Sequence, residues 1–512
     1  MKNWLKIILS MMFLFGLAVA AVVVVAIIFN IAFIWIFVSI LIIDFLMAFW
    51  IFFSKRRYEV KLSWIIFVIF IPFIGLCSYI FFGRKYHFSN KRTIYYEAIN
   101  KNEYQQFQED NLANLTKINT LSPHFTRTFE LLNHKAEKPV YGNSAVEILP
   151  NGTIAFYRIL SDLQKAKKYI LLTYFIIADG ELFEAFAEII KELLKAGVKV
   201  YLIYDHVGSY FKISEKSLRK LKKIGVKMYK FLPIITPFLN GNANYRNHRK
   251  DVVIDGKIGY TGGINLSDLY VNQSPKFGLF HDVQLRIEGD GVRALEVIFA
   301  DDWYFASKQR ERISELENDI FTKKDHHQTN NTLVQIFNDY PSFSESLNRD
   351  AYISLINNAK KRIWLSTPYF IAPGELILAL KTAAQAGIDV RLTIPGLTDK
   401  IFVLDITKTY CKELLAVGVK IYEMNNVFCH NKIAIFDDEI AIVGTCNLDY
   451  RSFFSDHQTT AIIYDKEVVK TFLTRWEWDY NHAILWREWP IKYKPLKYRV
   501  GLQCLKLVSP IL

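Results

Sequence analysis

A pattern written twice in one chain commits it to two similar folding units, and here the pattern carries chemistry. His248-Arg249-Lys250-Asp251-Val252-Val253-Ile254-Asp255 returns 182 residues later as His430-Asn431-Lys432-Ile433-Ala434-Ile435-Phe436-Asp437, giving two copies of H-x-K-x4-D. Each copy is followed at the same spacing by small residues and an asparagine, Gly262-Gly263-Ile264-Asn265 and Gly444-Thr445-Cys446-Asn447. A lone H-x-K is ordinarily a half-exposed strand with polar residues; duplication with matching surroundings lifts it above that reading.

Side chains two apart on a strand project from the same face, so each His-Lys pair can meet one ligand group. The apolar residues that follow continue each segment inward, and Asp255-Gly256 signals a tight turn returning the asparagine to the histidine's side. Two His, two Lys and two Asn supply a nucleophile, a proton donor and several donors for non-bridging oxygens, the set that covalent transfer at a phosphodiester needs. That scheme requires no metal and no cofactor. Asp255 and Asp437 complete the candidate catalytic set, although Asp at a turn also closes that turn by itself.

The repeat extends beyond the motifs. Ala166-Lys167-Lys168-Tyr169-Ile170 parallels Ala359-Lys360-Lys361-Arg362-Ile363, and Gly225-Val226-Lys227-Met228-Tyr229 parallels Gly418-Val419-Lys420-Ile421-Tyr422 at a spacing of 193, so the first unit holds 11 more residues before its histidine. The surplus is the apolar, two-proline stretch Phe231 to Leu239, expected to be a loop that either rims the site and touches lipid or packs on its own unit. Alternating strand and helix patterns make the fold α/β, in two halves behind an N-terminal transmembrane helical anchor. The expected boundaries are an anchor of two to three helices at 1–83, a juxtamembrane linker at 84–140, a first domain at 141–317, a linker at 318–332, and a second domain with a basic tail at 333–512. His326-His327 in the second linker lacks carboxylate or Cys partners in pattern and reads as a solvated connection.

Residue by residue, this arrangement resembles the phospholipase D superfamily over roughly residues 140–512, and the resemblance implies two mixed-sheet domains related by a pseudo-twofold axis with the two motifs facing each other across it. Tyr260-Thr261-Gly262-Gly263-Ile264-Asn265, Leu285-Arg286-Ile287-Glu288-Gly289 and Gly444-Thr445-Cys446-Asn447-Leu448-Asp449-Tyr450-Arg451-Ser452-Phe453 look like its bacterial cardiolipin synthase branch. The resemblance implies a ping-pong transfer between two phosphatidylglycerol molecules through a phosphohistidine, with His248 as nucleophile, His430 as acid and base, and Asn265 and Asn447 binding phosphate. It also implies a carboxylate behind each imidazole. Asp282 takes that place in the first half. The second half reads Asp456-His457-Gln458 where the family usually ends on Glu, so Asp456 or Gln458 is expected behind His430. The same superfamily chemistry leaves a hydrolytic phospholipase D, a nuclease and an inactive membrane scaffold as alternatives.

Leu5 to Phe53 is nearly all apolar and longer than the roughly 20 residues that one crossing needs, so two segments meeting near Asn30 are expected. A third, Leu62 to Phe82, is also long enough to span. Basic residues flank both ends of this third stretch, Lys55 to Lys61 and Arg84 to Arg92, and the positive-inside rule cannot satisfy both if it crosses. The expected location is a bacterial cell membrane, multi-pass. The formal net charge of +13 suits anionic phospholipid and would attract nucleic acid equally, but the anchor argues against a nucleic-acid partner. The basic-apolar tail, Lys492 to Lys506, is expected either to dock on the membrane surface or to pack.

Overall fold

A computed structural model describes residues 12–13, 16–17, 19–24, 30–83, 89–233, 244–272, 279–320, 332–341, 345–400 and 402–511. Residues 5–29 of the expected first membrane segment lie largely outside these, as do most of the Phe231 to Leu239 stretch and His326-His327. Phe231 itself is fully buried, its ring against Phe305 and His457, so it is a core residue and not part of a lipid-facing rim.

Each repeat builds half of one mixed sheet. From the outer edge inward, the first half runs Lys227–Phe231, Lys199–Asp205, Tyr169–Tyr174, Lys250–Ile254, Ile258–Gly262, Gln284–Gly289 and Val140–Leu149. The second half repeats that order from Lys420–Met424 to Thr332–Asp339. The two innermost strands pair antiparallel, Val140 against Gln335 and Tyr141 against Val334, so sixteen strands among the described residues join into a single sheet. Lys250–Ile254, Ile433–Phe436 and Asp456–Tyr464 are buried at every position, so their apolar residues form core on both faces and the polar residues at the starts of the first and third must find partners inside the protein. The α/β class and the pseudo-twofold plan stand as read.

The described part of the expected juxtamembrane linker, residues 89–140, is helical and packed. It forms helices Asn90–Gln106, Gln108–Leu121 and Pro123–Ala136, ending in the central strand. Phe125, Phe129 and Leu132, spaced on one helical face, are fully buried. Arg92 pairs with Asp301 at 2.7 Å inside the protein, a desolvated pair that holds the helix down rather than a solvated connection. The tail also packs: helix Leu496–Val508 buries Leu502, and the Tyr410 and Ser509 hydroxyls meet at 2.8 Å.

In the anchor, Ile34–Phe53 is, among the described residues, the one helix long and apolar enough to cross a membrane. The third apolar stretch breaks at Ile71-Pro72-Phe73 into helices Tyr58–Phe70 and Ile74–Phe82, about 20 and 14 Å long and each short of the roughly 30 Å core. It doubles back. The Phe73 amide at its tip donates to Asp44 at 3.3 Å, about 15 Å along the membrane helix from Ser54, and the Arg56 guanidinium donates to the Gly83 carbonyl where the hairpin returns. The chain therefore enters and leaves this hairpin at the same end, beside Arg56, and the charge conflict that a crossing would create does not arise.

Candidate active site

Both histidines sit where one half lends a strand to the other. Arg246-Asn247 pairs parallel with Asp456-His457, and Val427–Cys429 pairs parallel with Leu279–His281. The ladders continue through the histidine amides: His248 N–H donates to the His457 carbonyl at 2.9 Å, and His430 N–H to the His281 carbonyl at 2.6 Å. In that register the residue beside His248 is Gln458 and the residue beside His430 is Asp282. The orienting groups are thus exchanged between halves.

The Asp282 carboxylate accepts from His430 Nδ1 at 2.5 Å, and Lys432 Nζ lies 3.5 Å from the same oxygen. His248 Nδ1 shares its proton between the Thr445 carbonyl at 3.0 Å and Gln458 Oε1 at 3.2 Å. The expectation that Asp282 serves the first-half histidine, and Asp456 or Gln458 the second, is corrected accordingly. Asp456 pairs with Arg451 at 3.4 Å, and among the described residues it makes no hydrogen bond to His430. The signal for the exchange is not local; it lies in the pairing of segments some 200 residues apart.

Nδ1 of His430 is taken up by Asp282, with Lys432 Nζ 2.6 Å away, and Nδ1 of His248 by Thr445 and Gln458, so each imidazole keeps Nε2 for chemistry. Burial, then the Lys250 and Lys432 charges, hold His248 well below the ordinary histidine value. His430 is lowered to about 4 by burial and Lys432, with Asp282 pulling upward. Burial also brings Lys432 down to about 8, and burial with the facing Lys432 takes Lys250 well below its usual range. Both lysines donate to the carbonyl of the histidine two residues earlier, which fixes the ammonium groups at the floor of the site. Two lysines and two histidines facing one another across the buried floor present donors that suit a phosphodiester anion.

A cleft of about 290 Å³ opens over these groups, lined by His248, His430, Asn265, Asn447, Asp456 and residues with no sequence signal of their own, including Phe175, Tyr270, Tyr369 and Lys400. Asn265 is held by the Ile176 amide at 2.9 Å and donates to the Tyr270 hydroxyl at 2.5 Å. Asn447 Oδ1 is buried and has no hydrogen-bond partner among the described residues, so a donor such as a substrate hydroxyl would satisfy it, while Nδ2 is the end of the amide that can donate to a phosphate oxygen. Asp251, which sequence reasoning passed over, accepts from Thr261 and Thr459 at 2.7 Å each and ties the halves together beneath the site.

Asp255 and Asp437 lie outside the cleft. They sit at the far ends of their strands, Asp255 accepting from the Lys167, Lys168 and Tyr169 amides at 2.7 to 2.9 Å and Asp437 likewise from Lys360, Lys361 and Arg362. Both have positive φ, 53° and 52°, in the turns they close. This geometry assigns them to holding the turn, not to catalysis. Among the described residues no group of three or more His, Cys, Asp or Glu is placed to hold a metal ion.

Residues 159–303 and 352–480 match the family described as cardiolipin synthase, PLD-like domain, and residues 31–84 match the phospholipase D-nuclease N-terminal family. A cardiolipin synthase of Halalkalibacterium halodurans is 34% identical over 465 residues, covering 90% of each chain. Cardiolipin synthase 2 of Bacillus cereus is 33% identical over 467 residues, covering 90% of this chain and 88% of its own. Among solved structures, the phosphatidylserine synthase of Haemophilus influenzae superposes with a TM-score of 0.60 at 17% identity, over 76% of this chain and all of its own, which is a likeness of fold.

Proposed function

Because this chain belongs to the cardiolipin synthase family with its phospholipase D-like domain, we propose that His248 and His430 carry out phosphatidyl transfer between two phosphatidylglycerol molecules, giving cardiolipin and glycerol. His248 Nε2 attacks phosphorus of the first lipid and the bond from phosphorus to the glycerol oxygen breaks. His430 gives its proton to that oxygen, and glycerol leaves. The terminal hydroxyl of a second phosphatidylglycerol then returns a proton to His430 and attacks phosphorus, and the phosphorus-nitrogen bond breaks. Lys250, Lys432, Asn265 and Asn447 hold the non-bridging oxygens through both steps.

The observation that carries this division of roles is the unequal support behind the two rings. A carboxylate stabilises an imidazolium, which suits the acid and base at His430; a neutral amide and a carbonyl fix the tautomer without favouring protonation, which suits a nucleophile at His248. The test is to incubate purified protein with phosphatidylglycerol vesicles and quantify cardiolipin, phosphatidic acid and glycerol, beside His248→Ala and His430→Ala. Cardiolipin with matching glycerol, absent in both variants, is the expected outcome. Phosphatidic acid as the sole lipid product would instead make water the acceptor and the protein a hydrolase.

The protein is membrane-associated. We propose further that the catalytic body lies on the cytoplasmic side. The returning hairpin brings Gly83 back to Arg56, so the chain passes into the catalytic body on the side of Lys55, Arg56 and Arg57, and basic clusters mark the cytoplasmic side.

A further inference from the structure

Three cavities with shared lining residues lead from the membrane helix to the histidines, the last of them the catalytic cleft itself. The first, about 960 Å³, is an apolar groove between the membrane helix and the returning hairpin, lined by Phe49, Trp50, Phe53 and Tyr79, with Lys55 and Arg56 at its mouth. The second is a small pocket of about 50 Å³ where anchor and catalytic body meet. Arg56 lines both of these, and Arg451 lines both the second pocket and the cleft of His248 and His430.

The middle pocket has the composition of an amphiphile site. Its lining holds Arg56, Arg57 and Arg451 and no acidic residue, set among Trp64, Phe82 and Phe454. Arg57 is anchored from outside the pocket by Glu375 at 2.8 Å and Glu59 at 3.2 Å, and its guanidinium stacks over Phe454 at 4.7 Å. That leaves Arg57 Nε buried and, among the described residues, without a hydrogen-bond partner. Arg451 is positioned by the Asn244 carbonyl at 3.0 Å while a third of its side chain stays exposed. A planar, pre-oriented guanidinium suits a phosphodiester oxygen, and the adjoining apolar groove suits acyl chains.

We propose that these cavities form an entry route for anionic phospholipid, whose acyl chains lie in the groove of the anchor and whose phosphate is held by Arg56, Arg57 and Arg451 before it reaches the histidines. The route rests on the reading that the cleft acts on phospholipid, yet it makes a binding prediction that needs no turnover. The lining selects the occupant: a zwitterionic lipid offers the same chains and phosphate but adds a cation for which this pocket's walls hold no carboxylate.

The test uses full-length His248→Ala protein in vesicles containing a photoactivatable-acyl phosphatidylglycerol or the corresponding phosphatidylcholine. Adducts on residues 47–64 are expected with the anionic probe. They should fall about tenfold in Arg56→Gln/Arg57→Gln, the loss of about one charge-assisted contact. Val60→Trp, which fills the middle pocket and keeps every arginine, should lower the ratio of kcat/KM for bilayer phosphatidylglycerol to that for a soluble short-chain analogue. It also preserves the test if the double variant fails to fold. Equal labelling by both probes, displacement of the label by inorganic phosphate, or an unchanged substrate ratio would each overturn the route. Labelling of His248→Ala as expected, while the wild-type protein makes no cardiolipin, would support the route and sink the transfer reaction alone.

Discussion

Asp282→Asn isolates the exchanged pairing, because asparagine keeps an oxygen for His430 Nδ1 and removes only the charge. The hydrogen bond is 2.5 Å long, so the charge centres of an imidazolium and this carboxylate lie about 4 Å apart. At an effective dielectric constant near 20 that separation is worth about 4 kcal/mol, an upper figure corresponding to about a thousandfold in the step where His430 must carry a proton. Lys432 loses its counter-charge in the same substitution, since its Nζ lies 3.5 Å from that oxygen. Asp282 pulls His430 upward, so its removal moves His430 below about 4, and activity of the variant should climb with added acid. Asp456→Asn, which disturbs Arg451 and neither imidazole, should stay within about threefold of wild type. Gln458→Glu places a charge behind His248, raises its affinity for protons and should shift the pH dependence upward with a loss below about tenfold. Initial rates of cardiolipin formation on phosphatidylglycerol vesicles, taken across pH for the three variants, decide the matter. If Asp456→Asn were the most damaging of the three, the strand register proposed to set the orienting groups would be wrong.

Two further outcomes are expected. Asp437→Ala leaves three backbone amides without their acceptor and should cost about 3 kcal/mol of stability, read by denaturant unfolding, with cardiolipin formed per folded molecule unaltered. His457 is buried among Phe231, Tyr340 and Phe305, faces Arg92, Arg246 and Arg249 with Asp302 at 3.9 Å, and burial followed by those arginines holds it well below the ordinary value. A histidine lowered by folding contributes stability that is whole above its unfolded value near 6.5 and lost as pH falls, at up to about 1.4 kcal/mol per unit. Asp251 and Asp456, raised to about 6 by burial, work the other way: their contribution is whole below the unfolded carboxylate value and is lost as pH rises through 6. Comparing wild type with His457→Phe cancels the carboxylates, and the variant should show a flatter decline in unfolding free energy between pH 6.5 and 5.

What the sequence displayed and what it concealed divide along the range of the interactions. His248, Lys250, His430 and Lys432 were legible because a strand's period of two and a repeat at fixed spacing are local facts, and so was the α/β alternation. Asp255 and Asp437 misled for the same reason: they belong to the repeated pattern, yet repetition marks structural needs as well as chemical ones, and their three amide contacts come from a neighbouring strand start more than 70 residues away. The helices of residues 90–136 carry long polar stretches, and only the partners Asp301 and Gln335 reveal that Arg92 and the Phe129 turn are interior. A span measured by apolar length alone could not foresee that Pro72 turns the chain back to Arg56.

The exchange of orienting groups follows from a deeper constraint. If each half carried its own histidine and its own carboxylate, either half could form a working unit and the two sites could drift apart. Here the strand holding His248 is completed by Asp456-His457, and the strand holding His430 by Phe280-His281, so neither imidazole has its register or its Nδ1 partner until both halves are docked. The buried Asp251, bonded at once to Thr261 of the first half and Thr459 of the second, rewards the same docking. Transfer that alternates between a nucleophile and an acid needs the two rings held to a common frame, and a single sheet closed across its centre by Val140 and Gln335 supplies that frame. A duplicated fold thus arrives at two unlike histidines. Symmetry places them face to face, and Gln458 standing where the first half has Asp282 makes one ring easier to protonate than the other.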